Sequence, residues 1–233
     1  MTKKAKTNLA ASVRERLANL ARAQKEDFQE LLSRYARERL LYRLSISQHR
    51  DDFILKGALL FSYWTGAPHR PTRDLDLLGH GAPDIGLMEN VIRDLCEIEA
   101  EPDGLIFQPG SVHGERIKDE EEYEGVRLRL IALLGQARIP LQIDVGFGDR
   151  VVPGPEEIDF PTLLDFPAPH LKIHSQKSRR LCANFSSLFP QPWPGAKRLI
   201  RYGDPPALGH ELQAGGYSWQ RSPDASGIWT GNR

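Results

Sequence analysis

Apolar residues recur at three- and four-residue intervals through Leu9, Val13, Leu17 and Leu20, which predicts an amphipathic helix. The pattern restarts at Phe28, Leu31, Leu32 and Tyr35. Asp27 stands ready to cap this second helix, with Glu30 three positions on, and the helix is predicted to run to about Ser45. Phe53 to Lys56 is a short apolar run stopped by Gly57, and Ala58 to Trp64 reads as one or two helical turns ended by Thr65-Gly66-Ala67-Pro68. Thr72 to Leu78 alternates as a strand does, with Leu75 and Leu77 on one face and Asp74 and Asp76 on the other.

Asp84 can cap a helix reaching about Glu99, whose buried stripe is Ile85, Met88, Ile92 and Leu95, with Pro102-Asp103-Gly104 marking the exit. Leu105 to Phe107, Ser111 to Ile117 and Tyr123 to Leu134 follow as antiparallel strands, joined in part by the acidic turn Asp119 to Glu122. In Pro140 to Gly146, Leu141, Ile143 and Val145 face one side while Gln142 and Asp144 face the other. Gly148 to Pro161, with prolines at 153, 155 and 161, reads as a linker. Beyond Pro169 no apolar period of 2 or 3.6 persists, and no element is predicted there.

Composition changes this picture little. The 233 residues, 40% hydrophobic and 27% charged, suit one globular domain, or one domain with a helical annex. No apolar stretch approaches the roughly 20 residues of a membrane span, and no signal segment follows the first lysines, so a cytoplasmic protein without membrane contact is expected. Cys96 and Cys182 lie far apart, which argues against a disulfide framework or a structural zinc site. The net charge of zero conceals an uneven distribution. Residues 1 to 50 carry 12 Lys/Arg against 5 Asp/Glu, whereas residues 84 to 122 carry 12 Asp/Glu against 3 Lys/Arg. The first segment is either a solvated helical face or a surface for phosphates, and on the second reading Arg34, Arg37 and Arg43 would touch a nucleic acid.

The chemistry lies in the acids. Like charges about 4 Å apart repel by roughly 4 kcal/mol at a near-surface effective dielectric, so Asp74, Asp76 and Asp144 would want cations if they met. Hard divalent ions prefer carboxylate oxygens and keep positions open for phosphates. The spacing Asp74-x-Asp76 puts two ligands on one face of one strand. Upstream, Lys56-Gly57-Ala58 lies where a strand gives way to a helix, a place where backbone N–H groups can cradle a phosphate. Arg70 and Arg73 could clamp triphosphate oxygens, or Arg73 could pair with the nearby acids. Lys56 either neutralises a phosphate or orients an aspartate. His80 reads as a loop residue, and His170 and His174 lack the glutamate of a zinc-protease helix. Gly146-Phe147-Gly148 is followed by Val151, so the dinucleotide fingerprint fails at its third glycine, and no G-x-x-x-x-G-K-S/T loop occurs.

Residues 28 to 170 resemble the AbiEii/AbiGii toxin family of nucleotidyltransferases, a branch of the polymerase-beta-like superfamily. Phe53-Ile54-Leu55-Lys56-Gly57-Ala58 is similar to the family's strand-Lys-Gly-Gly element, with Ala58 in place of the second glycine. Arg70-Pro71-Thr72-Arg73-Asp74-Leu75-Asp76-Leu77 is similar to its Arg-x-Ser/Thr-x-Asp-x-Asp element, and Asp144 in Gln142-Ile143-Asp144-Val145 matches the third carboxylate strand. The resemblance implies an α+β fold, a nucleotidyltransferase-type mixed sheet flanked by helices, with N-terminal helices, and the sequence beyond it reads as an irregular C-terminal tail. It divides the chain into N-terminal helices (1–50), a catalytic domain (51–170) and a tail (171–233). It implies catalytic and metal-ligating roles for Asp74, Asp76 and Asp144, and nucleotide binding by Lys56, Gly57, Ala58, Arg70, Thr72 and Arg73. Mg²⁺ or Mn²⁺ would be the cofactor, a nucleoside triphosphate (NTP) the substrate, tRNA a candidate acceptor, and a cognate antitoxin a candidate partner in a toxin-antitoxin or abortive-infection system.

The tail departs from the family. Relatives continue into a helical domain that carries a lysine and an Arg-x-Lys-Asp-like element, and neither has a match here. Phe189-Pro190-Gln191-Pro192-Trp193-Pro194 and the stretch 214–232 interrupt helical propensity repeatedly. An altered reading frame from about residue 171 is therefore expected, the alternative being a divergent but folded tail. Translating the gene in its other two frames beyond the codon for His170 tests this, since a helical continuation with the missing lysine should emerge. The alternative function is that of a catalytically impaired, truncated member acting as a protein- or RNA-binding module.

Overall fold

The computed structural model describes residues 2–60, 72, 74–118, 124–148, 151, 154–174, 212–214, 217–221 and 229–232. Helix α1 (Thr2–Gln24) is followed by α2 (Phe28–Ser45), and Asp27 caps α2 as predicted, its carboxylate accepting the Glu30 N–H at 2.9 Å. The Glu30 side chain does not return the bond; it pairs with Arg37 instead, at 2.9 Å. Strands β1 (Phe53–Lys56) and β2 (Asp74–Gly79) precede helix α3 (Ile85–Glu97), which Asp84 caps through the Leu87 N–H at 2.7 Å. Strands β3 (Leu105–Phe107), β4 (His113–Lys118) and β5 (Glu124–Leu134) are the predicted antiparallel set, a short 3-10 turn at Pro109–Ser111 leads into β4, and β6 (Ala137–Phe147) contains the stretch whose alternation set Asp144 apart.

Two strands of the main sheet were not foreseen. β7 (Glu156–Asp159) lies inside the stretch read as a linker, and β8 (His170–Ile173) lies where no element was expected. Each is only four residues long, too short for a periodic signal. β8 is held because Leu171 and Ile173 bury themselves in the core, with Ile173 opposite Leu55.

The sheet is mixed, in the order β3-β5-β6-β2-β1-β8-β7, with β4 also paired to β5. β2 runs parallel to β6 and β1 parallel to β8, while the other pairs are antiparallel. One face of this sheet is the core. Leu75, Leu77, Leu128, Leu130, Leu141 and Ile143 bury against side chains of the three helices. On α3, Met88, Val91, Ile92 and Leu95 are buried, which stabilises by roughly 1.5–3 kcal/mol per side chain. With the helices on this face, the residues alternating out of phase along β2, β5 and β6 are left for chemistry.

The basic character of the first 50 residues is not a phosphate surface at the positions expected. Arg37 is 1% exposed and Arg43 is also buried, while Arg34 pairs with Glu26 at 2.6 Å. The charges are inside because they have a partner there. Asp103, 1% exposed, lies 2.7 Å from Arg43 and 3.2 Å from Arg39, and also accepts the Leu105 N–H at 3.0 Å. Arg39 further donates to the Pro167 carbonyl at 2.8 Å. Glu38 accepts the Leu163 N–H at 2.7 Å, and burial raises its carboxyl to about 7 despite the Arg39 guanidinium at 3.6 Å. Cys96 is partly buried and free, with its thiol pushed up to about 12 by desolvation.

Residues 191–233 form a second compact unit. Within it, β9 (Leu212–Ala214), β10 (Tyr217–Arg221) and β11 (Trp229–Asn232) form an antiparallel sheet in the order β11-β10-β9. Three short strands thus stand in the stretch expected to be irregular. Tyr217, Trp219, Trp229 and Thr230 favour strands, but three to five residues are too few for alternation to register. Among the described residues no helix is long and apolar enough to cross a membrane.

Candidate active site

The face of the sheet opposite the helices carries a row of four charged residues on four neighbouring strands. Lys56 on β1 pairs in register with Asp76 on β2, Asp76 with Asp144 on β6, and Asp144 with Arg127 on β5. Residues opposite one another in adjacent strands point to the same face, so two carboxylates sit side by side between two cations. Asp74 precedes Asp76 by two residues and lies on that face as well, opposite Gln142.

The local chain explains how Asp76 is held. Gly57 ends β1 with φ +78°, a left-handed conformation that glycine adopts without strain. A Cβ at Gly57 would lie 1.9 Å from Asp76 Oδ2 and 2.7 Å from Asp76 Cβ, so the turn closes directly on the carboxylate. The Ala58 N–H donates to that carboxylate. The strand-Lys-Gly-Ala element therefore grips an acid of the site with one of its N–H groups. Leu59 and Leu60, both buried, start the helical turn that follows.

Burial raises the Asp76 carboxyl above the ordinary range, and the neighbouring Asp144 raises it further. Lys56 and the Ala58 N–H act in the opposite direction, and Asp74 adds to the rise. Asp144 is compensated differently. Arg127 donates from Nε to Asp144 Oδ1 at 2.9 Å and from Nη2 to Oδ2 at 2.7 Å, a bidentate fork. The bond to Asp144 raises the Arg127 pKa, and Asp74 and Glu115 add to the effect.

Thr72 accepts from the buried Arg37 through its carbonyl, which ties α2 to the entry of β2, and Asp74 is close enough to Arg37 to favour its charge. Arg70 and Arg73 lie outside the described residues, as does the acidic turn at 119–122. His80 is exposed and contacts the Asp52 carbonyl at 3.0 Å, which agrees with a loop role. His170 is on a strand beside Asp159 and Glu157, at 2.8 and 3.3 Å, and these partners raise its pKa.

The structure thus brings Lys56, Gly57, Ala58, Asp74, Asp76 and Asp144 to one place. Arg127 was missed by sequence reasoning, although its strand was identified. As the side chains stand, no three carboxylates, imidazoles or thiols among the described residues are gathered to hold a metal ion, and both oxygens of Asp144 face Arg127.

Residues 39–184 match the family described as nucleotidyl transferase AbiEii toxin of type IV toxin-antitoxin (TA) systems, and this is more than half of the chain. The chain belongs to the AbiEii family. No curated protein matches it. Among solved structures it is similar to JHP933 from Helicobacter pylori and to a candidate nucleotidyltransferase from H. pylori, each at 16% identity and a TM-score of 0.38. Both matches cover 68% of this chain, but only 56% and 58% of those chains. The chain therefore spans little more than half the length of either.

Proposed function

We propose that this chain is a divalent-metal-dependent nucleotidyl transferase, the toxin of a type IV toxin-antitoxin pair, which moves a nucleoside monophosphate from an NTP to an acceptor such as tRNA. The observation that carries this reading is the in-register row Lys56, Asp76, Asp144 and Arg127, with Asp74 on the same face.

The donor set fits Mg²⁺ or Mn²⁺. It offers three carboxylates and no thiol or imidazole, and hard ions take oxygen ligands. Asp76 carries a negative charge that burial and Asp144 both disfavour, which a bound cation would relieve. Asp74, Asp76 and Asp144 would hold the ion, which supplies charge neutralisation on the triphosphate and a lowered pKa at the attacking hydroxyl. In the reaction the acceptor oxygen bonds to the α-phosphorus as the α–β anhydride breaks and pyrophosphate leaves. The protein contributes mostly position and charge. Gly57 and the Ala58 N–H fix Asp76, Lys56 adds a cation beside it, and Arg70, Thr72 and Arg73 lead into β2, where they would meet the phosphates. A cognate antitoxin partner follows from the family's toxin-antitoxin character.

The test incubates the full chain with Mg²⁺, each α-labelled triphosphate in turn, and total RNA. Label should appear on RNA of tRNA size with one or more triphosphates and vanish in Asp76→Asn. Absence of transfer and of pyrophosphate release with all four would refute the activity and leave the binding-module alternative.

A further inference from the structure

Arg127 has a position that the transfer reaction does not by itself require. Its guanidinium takes both oxygens of Asp144, at 2.9 and 2.7 Å, and so engages the very atoms that a metal ion would need. The register sets the two residues opposite one another. β5 and β6 form a hairpin around Gly135 and Gln136, with Leu134 opposite Ala137, and counting back along both strands sets Arg127 opposite Asp144. Lys56 lies at the other end of the row, beyond Asp76.

The pair is also able to part. The Arg127 side chain is 31% exposed and that of Asp144 is 17% exposed, so the fork lies at the edge of solvent rather than in the core. Among the described residues, the acid nearest in register on the far side is Glu115 of β4, which pairs with Arg129 at 2.8 Å. A guanidinium released from Asp144 therefore stays on a face rich in acids and open to water. The buried arginines of α2 have no such freedom, since Arg37 and Arg39 are fully enclosed.

We propose that Arg127 is a resident counter-cation that competes with the divalent ion for Asp144, so that ion binding and the Arg127–Asp144 fork exclude one another. Arg127 is in this view a positioning residue that sets metal affinity low. The inference rests on the metal-dependent reading of the site.

The experiment titrates the full-length protein with Mn²⁺ alone and follows the electron paramagnetic resonance signal of the free ion, without nucleotide. Arg127→Gln should bind Mn²⁺ on the order of tenfold more tightly than wild type, equivalent to about 1.4 kcal/mol. Arg127→Lys, which keeps the charge but cannot form the fork, should fall between the two. In an Asp144→Asn background, Arg127→Gln should lose its effect. A purely structural arginine predicts the reverse sign, because Asp144 would be left unplaced and Mn²⁺ would bind more weakly. If Asp76→Asn abolishes Mn²⁺ binding but Arg127→Gln leaves it unchanged or weaker, competition is overturned while the metal site stands. If Asp76→Asn changes nothing, the metal reading fails and the competition with it. Circular dichroism checks that each variant is folded, and should Arg127→Gln not fold, Arg127→Lys decides by the same sign.

Discussion

Replacing Gly57 by alanine should damage both the fold and the site, by an amount that the geometry bounds. The left-handed φ of +78° costs an L-residue about 1–2 kcal/mol. The new Cβ would also sit 1.9 Å from Asp76 Oδ2, so the carboxylate must leave its place and give up the Ala58 N–H, a bond to a charged group worth roughly 1.5–3 kcal/mol. Part of that loss is returned, because burial and Asp144 already disfavour the ionised Asp76 where it stands. The net destabilisation is about 2–3 kcal/mol, against a total of roughly 5–15 kcal/mol for a domain. The protein should remain folded, with Tm lower by roughly 4–12 °C. Transfer should drop by on the order of a hundredfold, since a catalytic group displaced by an ångström costs that much. Thermal denaturation followed by circular dichroism, beside a pyrophosphate-release assay, reads both effects. Ala58→Gly is the control and should cost no more than about 1 kcal/mol. In an Asp76→Ala background the carboxylate contacts disappear while the Cβ contact at 2.7 Å persists, so the cost of Gly57→Ala should shrink by about 1 kcal/mol and not vanish. A Gly57→Ala protein as stable as wild type would refute the argument, and so would an unchanged cost in the Asp76→Ala background.

Two further outcomes concern the buried charges. Asp103→Ala strands Arg39 and Arg43 without their counter-ion and should cost about 3–5 kcal/mol, measured as a loss of urea midpoint; a change below 1 kcal/mol would mean water or another acid compensates. Glu38 titrates at about 7 in the folded chain, above an ordinary value of 4.5, so its contribution is complete below pH 4.5 and is lost as pH rises through 7. Glu38→Gln should therefore match wild type at pH 5 and exceed it by roughly 2–3 kcal/mol at pH 8, and a stability difference that does not change with pH would count against the raised carboxyl.

The acids of the site were legible because strand alternation needs only a few residues to show itself. Leu75 and Leu77 bury, so Asp74 and Asp76 must face the other way, and the same holds for Ile143, Val145 and Asp144. The match of Asp76 to Asp144 was not legible, since two strands separated by some seventy residues can pair in many registers. Arg127 could have been found. A hairpin closed at Gly135 and Gln136 pairs residues equidistant from the turn, and Arg127 and Asp144 are such a pair. The arginines of α2 were misread for a physical reason: a charge on a helix is normally outside, and only the arrival of Asp103, some sixty residues later, makes the inside tolerable. Strands β7 and β8 escaped because four residues each are too few for alternation to register, even though Leu171 and Ile173 alternate into the core.

The way α2 is bound has a consequence for where this protein can be cut. Similarity to the family opens at residue 39, in the middle of that helix. Yet Arg37 reaches the Thr72 carbonyl, Glu38 takes the Leu163 N–H, and Arg39 and Arg43 share Asp103. A fragment that began at the edge of the detectable relationship would lose two of these anchors and expose the apolar face on which α2 lies. A fragment cut at residue 39 should therefore be less stable than one that keeps the whole of α2, so the modular boundary is drawn by interior charges rather than by recognisable sequence.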